Sequence, residues 1–205
     1  MKSRSVWKVL LIALLVACCD DAVDPSAEGV PESDMSFVQF DVQLLPLAQK
    51  EGSFWAVKGQ NRELVLRYVP EKAGDPGEEF LEFEVSGNSL LRRPDGTAFA
   101  TGDSILITVR VDDAGRFLFT FEPAGLQFDP DHPAELEVTY RLADPDLDGD
   151  GDDDSEDGEE ERRLAIWRQG RAGERWFRLA TVQFEDLDEA EADIVGFSRF
   201  ALASN

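Results

Sequence analysis

Twelve carboxylates fall within the eighteen residues Asp144 to Glu161 (DPDLDGDGDDDSEDGEEE), the densest chemistry in this chain of 205 residues. Within that run Asp146, Asp148, Asp150, Gly151, Asp152, Asp154 and Asp157 occupy positions 1, 3, 5, 6, 7, 9 and 12 of a D-x-D-x-D-G loop. In a tightly wound loop alternate side chains point inward and offer a hard cation several oxygen ligands at about 2.4 Å, while a glycine at position 6 permits the sharp turn. Asp152 would ligate through its carbonyl, and Asp157 would stand where a bidentate Glu is usual. Two carboxylates about 4 Å apart near a protein surface repel by on the order of 4 kcal/mol, so drawing this loop inward without a cation is opposed.

The spacing resembles dockerin-type and EF-hand calcium loops, which implies Ca2+ bound by Asp146, Asp148, Asp150, Asp152, Asp154 and Asp157, with a weak Kd of about 0.1–1 mM as in extracellular modules. A second frame, shifted by two residues, starts at Asp144 and puts Ser155 at position 12. A competing reading makes the run a solvated acidic stretch that keeps a protein soluble, and the lack of an EF-hand's flanking helical pattern favours it. Both readings stay open at the level of sequence.

Other candidate chemistry is thinner. Gly102-Asp103-Ser104 together with Asp129 and His132, the single histidine, mimics the nucleophile and D-x-x-H blocks of GDS-type esterases. That fold alternates helices and strands and places its His near the C-terminus, so Gly102-Asp103 reads instead as a turn opening a strand, and Asp129 to Pro133 as a loop. Carboxylates are too numerous for any pair to mark general acid and base work. No glycine-rich phosphate loop follows a strand, and no Cys/His cluster suggests zinc. Trp55, Trp167 and Trp176 could line a carbohydrate platform or serve as core.

The chain begins with Lys2, Arg4 and Lys8 and an apolar run from Val9 to Ala17, signal-peptide length and too short to span a bilayer. Leu15-Val16-Ala17-Cys18 resembles the lipobox of bacterial lipoproteins, which implies acylation of Cys18 and removal of residues 1–17. Several acyl chains hold a protein on a membrane far more firmly than one. Residues 18–35, acidic and containing Pro25 and Pro31, read as a flexible spacer holding residues 36–205 about 20–25 Å from the lipid. Asp20 occupies the third mature position, so outer rather than inner membrane is the default expectation. Cys18 and Cys19 are the two cysteines, which leaves the body without a disulfide. Loss of Lys2, Arg4 and Lys8 with the leader moves the net charge from −23 to −26. Such a surface repels nucleic acid and anionic headgroups and attracts cations or a basic partner.

From Val38 onward apolar residues recur at period two, the mark of strands with one buried face. Val38, Phe40, Val42 and Leu44 share one face, as do Leu64, Leu66 and Tyr68. Leu81, Phe83 and Val85 alternate with Glu82 and Glu84. The alternating run from Ile105 to Val111 turns through Asp112–Gly115 into Phe117, Phe119 and Phe121. Leu136 to Leu142, Leu164 to Trp167, Trp176 to Val182 and Ala192 to Leu202 complete nine or ten strands, and Asp186 to Ala192 has room for one helical turn. The expected fold is all-β: an antiparallel two-sheet sandwich with the acidic insertion at 144–161 between two strands.

FEPAGLQFDPDHPAELEVTY (Phe121 to Tyr140), LAIWRQ (Leu164 to Gln169), WFRL (Trp176 to Leu179) and GFSRFALA (Gly196 to Ala203) resemble the C-terminal part of ZU5-like β-sandwich domains of bacterial surface proteins. In eukaryotic relatives such domains bind proteins, which by analogy implies a binding or structural role toward a protein or polymer of the cell envelope. Some ZU5-type domains cleave themselves before the Ser of His-Phe-Ser; here the triplet is Gly196-Phe197-Ser198, and without an imidazole beside Ser198 an uncut chain is expected. The reading is non-catalytic. Carbohydrate or envelope-polymer recognition is the alternative within binding, and a hydrolase using Ser104 or Ser198 the alternative from another class.

Overall fold

The computed structural model describes residues 28–41, 43–44, 46–113 and 115–205, so Cys18, the leader, most of the spacer and Val42 lie outside the described residues. Along the chain run β1 (Ser36–Phe37), β2 (Glu51–Val57), β3 (Arg62–Arg67), β4 (Glu79–Val85), β5 (Leu90–Arg92), β6 (Ser104–Asp113), β7 (Leu118–Glu122), β8 (Gln127–Phe128) and β9 (Ala134–Thr139). A five-residue helix α1 (Asp157–Glu161) follows, then β10 (Ala165–Gln169), β11 (Trp176–Arg178), β12 (Thr181–Phe184), β13 (Glu189–Ile194) and β14 (Arg199–Ser204). The first sheet has the order β11-β10-β14-β7-β6-β2, with β1 also on β14, and the second β12-β13-β9-β4-β3; β5 and β8 form a small ribbon. The two sheets pack face to face as an antiparallel sandwich, the expected all-β class.

The alternation that predicts strands is what fills the gap between the sheets. Leu81, Phe83 and Val85 of β4, Ile107, Val109 and Val111 of β6 and Leu136 and Val138 of β9 are all buried in one core with Phe117, Phe119 and Phe121. Rings meet edge to face, the arrangement their quadrupoles favour: Phe83 and Phe121 centroids are 5.0 Å apart at 71°, Phe121 and Phe200 5.1 Å apart at 83°. Burying each such side chain contributes about 1.5–3 kcal/mol, and with no disulfide among the described residues this packing holds the sandwich.

Several boundaries differ from the sequence reading. Trp176 to Val182 is two strands: β11 belongs to the first sheet and β12 to the second, with the chain crossing between them at Leu179, whose N–H bonds Ile166 O at 2.9 Å. Ala192 to Leu202 likewise divides into the end of β13 and β14, on opposite sheets. Apolar spacing continues through both crossings because each sheet buries a face toward the same gap, so periodicity alone does not reveal the change of sheet. The helical turn expected at Asp186 to Ala192 is replaced by a 3-10 turn at Glu185–Leu187 and then β13, joined by Asp188 in the left-handed region at φ 55°. Strand β2 was not anticipated: it lies at a sheet edge, paired only with β6, and only Ala56 is fully buried. The first expected strand, Val38 to Leu44, is replaced by the two-residue β1 just before it and an isolated bridge from Phe40 to Ala143, with Val38 buried and Leu44 exposed.

The spacer assignment 18–35 also divides. Val30 exchanges backbone hydrogen bonds with Trp176 at 2.7 and 2.8 Å. With Met35 and Phe37 it joins Leu118, Trp167, Trp176 and Ala203 in a second apolar cluster, which covers the outer side of the first sheet. Packed structure therefore starts several residues before position 36.

Candidate cation site

The acidic segment leaves the second sheet after β9 and returns to the first at β10. Its start is fixed by Ala143 N–H bonding Tyr140 O at 2.8 Å and Asp144 N–H bonding Gln39 O at 3.0 Å. Leu147 packs against the main core, so the segment is anchored by an apolar side chain as well as by polar contacts. At its far end Tyr140 Oη donates to Glu161 Oε1 at 3.2 Å and Gln183 Nε2 to Glu161 O at 2.8 Å, pinning α1.

Between these anchors the loop winds around three carboxylates. Asp157, whose side chain is 5% exposed, accepts from Leu147 N at 2.7 Å and Asp148 N at 3.2 Å on Oδ1, and from Asp154 N at 2.8 Å on Oδ2. Asp146 accepts from Gly149 N at 2.8 Å on Oδ1 and Gly151 N at 3.0 Å on Oδ2. Gly149 and Gly151 have φ of 80° and 103°, the left-handed backbone that glycine adopts without a Cβ penalty and that turns the chain back on Asp146. Asp148 accepts from Asp150 N at 3.0 Å.

One oxygen from each of Asp146, Asp148 and Asp157 lies within 4.8 Å of the others, a grouping among the described residues with the donor chemistry for a hard cation. These are positions 1, 3 and 12 of the frame that starts at Asp146; Asp144, which would open the shifted frame, is not in the group. The carboxylates of Asp150 and Asp154, expected as further ligands, are exposed and outside it, and Asp152, expected to offer its carbonyl, is exposed as well. Asp150 instead accepts from Asp152 N at 3.2 Å and Asp154 from Glu156 N at 2.7 Å, local turns that direct these carboxylates along the chain. Beside the group lies a cavity of about 310 Å³ lined by Tyr140, Asp144, Leu147, Asp154 and Asp157 among others.

Electrostatics separate Asp157 from Asp148. The N–H of Asp154, then those of Asp148 and Leu147, hold the Asp157 carboxyl below the usual carboxylate range. The Asp150 N–H lowers Asp148, but partial desolvation and the charges of Asp150, Asp157 and Asp146 together carry it above that range. Of these two, Asp148 gains more from a cation's arrival.

The remaining candidates are placed as follows. Ser104 is exposed at the start of β6, after a turn in which Asp103 Oδ2 accepts from Ala100 N at 3.0 Å. His132 is exposed with Nδ1 4.0 Å from Asp129 Oδ2. Ser198 is 7% exposed and its Oγ accepts from Arg168 Nε at 3.0 Å. Trp55 is 59% exposed, whereas Trp167 and Trp176 are buried in the cluster under Val30, so the three tryptophans form no exposed row.

Sequence reasoning missed one charged constellation. The glutamates that alternate with core residues on β4, β9 and β13 come together on the outer face of the second sheet, because these strands pair in a register that aligns them. Three adjacent E-x-E patterns, EFLEFEV, AELEVT and EAEADI, were the available signal.

Comparison with models of protein families, with curated proteins and with solved structures finds no match to this chain. The fold defines the class of the chain as an antiparallel β-sandwich.

Proposed function

We propose that this chain is a lipid-anchored, extracytoplasmic β-sandwich of ZU5-like type, tethered through acyl chains on Cys18 to an envelope membrane, the outer one by default, and serving in binding or structure rather than catalysis. Its acidic loop takes Ca2+ weakly, and its partner is a protein or polymer of the cell envelope. The tether rests on the Leu15-Val16-Ala17-Cys18 sequence; among the described residues no helix is long and apolar enough to cross a membrane.

The observation that carries the calcium reading is the convergence of Asp146, Asp148 and Asp157. Oxygens bound to one Ca2+ at 2.3–2.6 Å can be no farther apart than about 5 Å, and the three carboxylates place theirs within 4.8 Å. The N–H donors from Gly149, Gly151, Leu147 and Asp154 orient two of them in advance. Three carboxylates are fewer than the 6–8 oxygens Ca2+ takes, which leaves water and backbone to complete the shell and keeps the affinity low.

The test is a crosslinking pull-down from membranes of cells expressing the full chain, with and without calcium, together with radiolabelled palmitate. Label on the chain that disappears in Cys18→Ala, and an envelope component captured only with calcium, are expected. Absence of label contradicts the tether, and identical capture with and without calcium contradicts a role for the loop.

A further inference from the structure

The outer face of the second sheet carries like charges in direct opposition. Glu82 of β4 pairs with Glu137 of β9, which pairs with Glu191 of β13. One row over, Glu63 of β3, Glu84, Glu135 and Asp193 stand opposite one another across four strands. Directly opposed side chains have Cβ atoms about 4.5–5.5 Å apart, and like charges there are destabilising. Val65 and Val182 close the two ends of the row that contains Glu137, and Glu137 in its middle is half-buried.

Cations do little to relieve this. From β3 the nearest is Arg67, which is bound to Glu79 at 2.7 Å. Arg141, two residues past the end of β9, is bound to Glu78 at 2.5 Å. The other charged groups facing Glu137 are acidic: Glu79 on β4, Glu189 on β13, and Asp186 and Asp188 from the turn before it, around a cavity of about 310 Å³. Strand β12 adds no charge on this face, only Val182 and Phe184.

We propose that this face is a proton-dependent clasp, in which the opposed carboxyls of β4, β9 and β13 hold protons between them in mildly acidic surroundings, drawing the three strands together, and push the strands apart once those protons leave. Burial first, then the charges of Glu189, Glu82 and Glu191, push Glu137 up to about 7. Burial and the charges of Glu79 and Glu63 raise Glu82, and burial with the charges of Glu191, Glu84 and Asp193 raises Glu135. The folded chain therefore binds more protons than the unfolded chain between the unfolded value, 4.5, and about 7. Stability from this face is present in full below that window and is lost as pH rises through it. This inference does not depend on calcium or on the tether.

The experiment is thermal unfolding of the chain from pH 5 to pH 8 for wild type, Glu137→Gln, Glu82→Gln and Glu71→Gln, the last removing one charge at an exposed site away from the face. Glu137→Gln is expected to melt about 3 °C or more above wild type at pH 8 and within about 1 °C of it at pH 5. Glu82→Gln should move the same way by less, and Glu71→Gln should show no difference between the two pH values beyond about 1 °C. Should Glu137→Gln fail to fold, Glu82→Gln decides. Gains of equal size at both pH values, or a gain at pH 8 no larger than that of Glu71→Gln, overturn the clasp.

Discussion

Two regions of this molecule concentrate carboxylates, and they treat them in opposite ways. In the loop at 144–161 negative charge is met by backbone N–H groups: Asp157 gathers three and Asp146 two. On the outer face of the second sheet negative charge is met by more negative charge, because the N–H groups of β4, β9 and β13 are engaged in pairing with one another. Asp157 and Glu137 therefore acquire opposite pH behaviour, while Asp148, which meets one N–H and the charges of Asp150, Asp157 and Asp146, is raised within the loop. Asp157 lies below the ordinary range and Glu137 above it. A loop can curl its backbone around an anion, whereas a strand in the middle of a sheet has no free donor to offer. A carboxylate that is oriented by donors yet keeps spare lone pairs is suited to a cation, while one opposed by its own kind is suited to a proton.

The largest effect should come from Asp157→Ala. It leaves the N–H groups of Leu147, Asp148 and Asp154 without their acceptor, so limited proteolysis between 147 and 154 is expected to quicken by about tenfold or more, with the far-ultraviolet spectrum of the sandwich preserved. Loss of the whole sandwich would contradict the loop's standing as a separable element. Next, calcium at about ten times Kd should slow cleavage of the wild-type loop roughly tenfold, and should leave the melting difference between Glu137→Gln and wild type unchanged. An equal response of both regions would collapse the distinction between them.

Glu137→Lys turns two repulsive pairs into two attractive ones and is expected to stabilise the chain by about 1–2 kcal/mol at pH 8, measured by denaturant unfolding; no gain would mean that the opposed glutamates do not repel. Acidification sharpens the contrast further. From pH 7 toward 4.5 the sheet should gain stability, while the loop's protection from protease should fail only as pH drops through the depressed Asp157 value, since a carboxyl held low stabilises above its unfolded value and loses that contribution on protonation. The smallest effect belongs to Arg163→Gln. Arg163 is 55% exposed in side chain and pairs with Glu159 at 3.9 Å and Glu160 at 3.4 Å, and surface pairs of this kind change stability by about 1 kcal/mol or less.

Much of the sandwich was legible from residue spacing. Leu81, Phe83 and Val85 read as a strand and are buried as one, and the hairpin from Ile105 to Phe121 forms β6 and β7. What spacing did not carry was where the chain changes sheets, at Leu179 and between Ile194 and Arg199, because the period stays at two on either side. Strand β2 escaped since an edge strand with Gly52 and Ser53 lacks a full apolar face. In the loop the D-x-D-x-D-G frame picked out Asp146, Asp148 and Asp157 together with the turn at Gly151. The outward course of Asp150 and Asp154 depends on local side-chain bonds to the backbone that a list of spacings does not contain. The acidic face was invisible for a different reason: each strand shows its glutamates as ordinary solvated positions, and only the register between strands sets them opposite one another.

The comparison is tested most directly by a single carbon-detected NMR titration that follows the side-chain carboxyl signals of Asp157 and Glu137 in the same sample. The account predicts Asp157 changing below the ordinary aspartate value of 3.8 and Glu137 near 7, with no overlap between the two transitions. Both groups titrating together at about pH 4, as free carboxyls do, would contradict it.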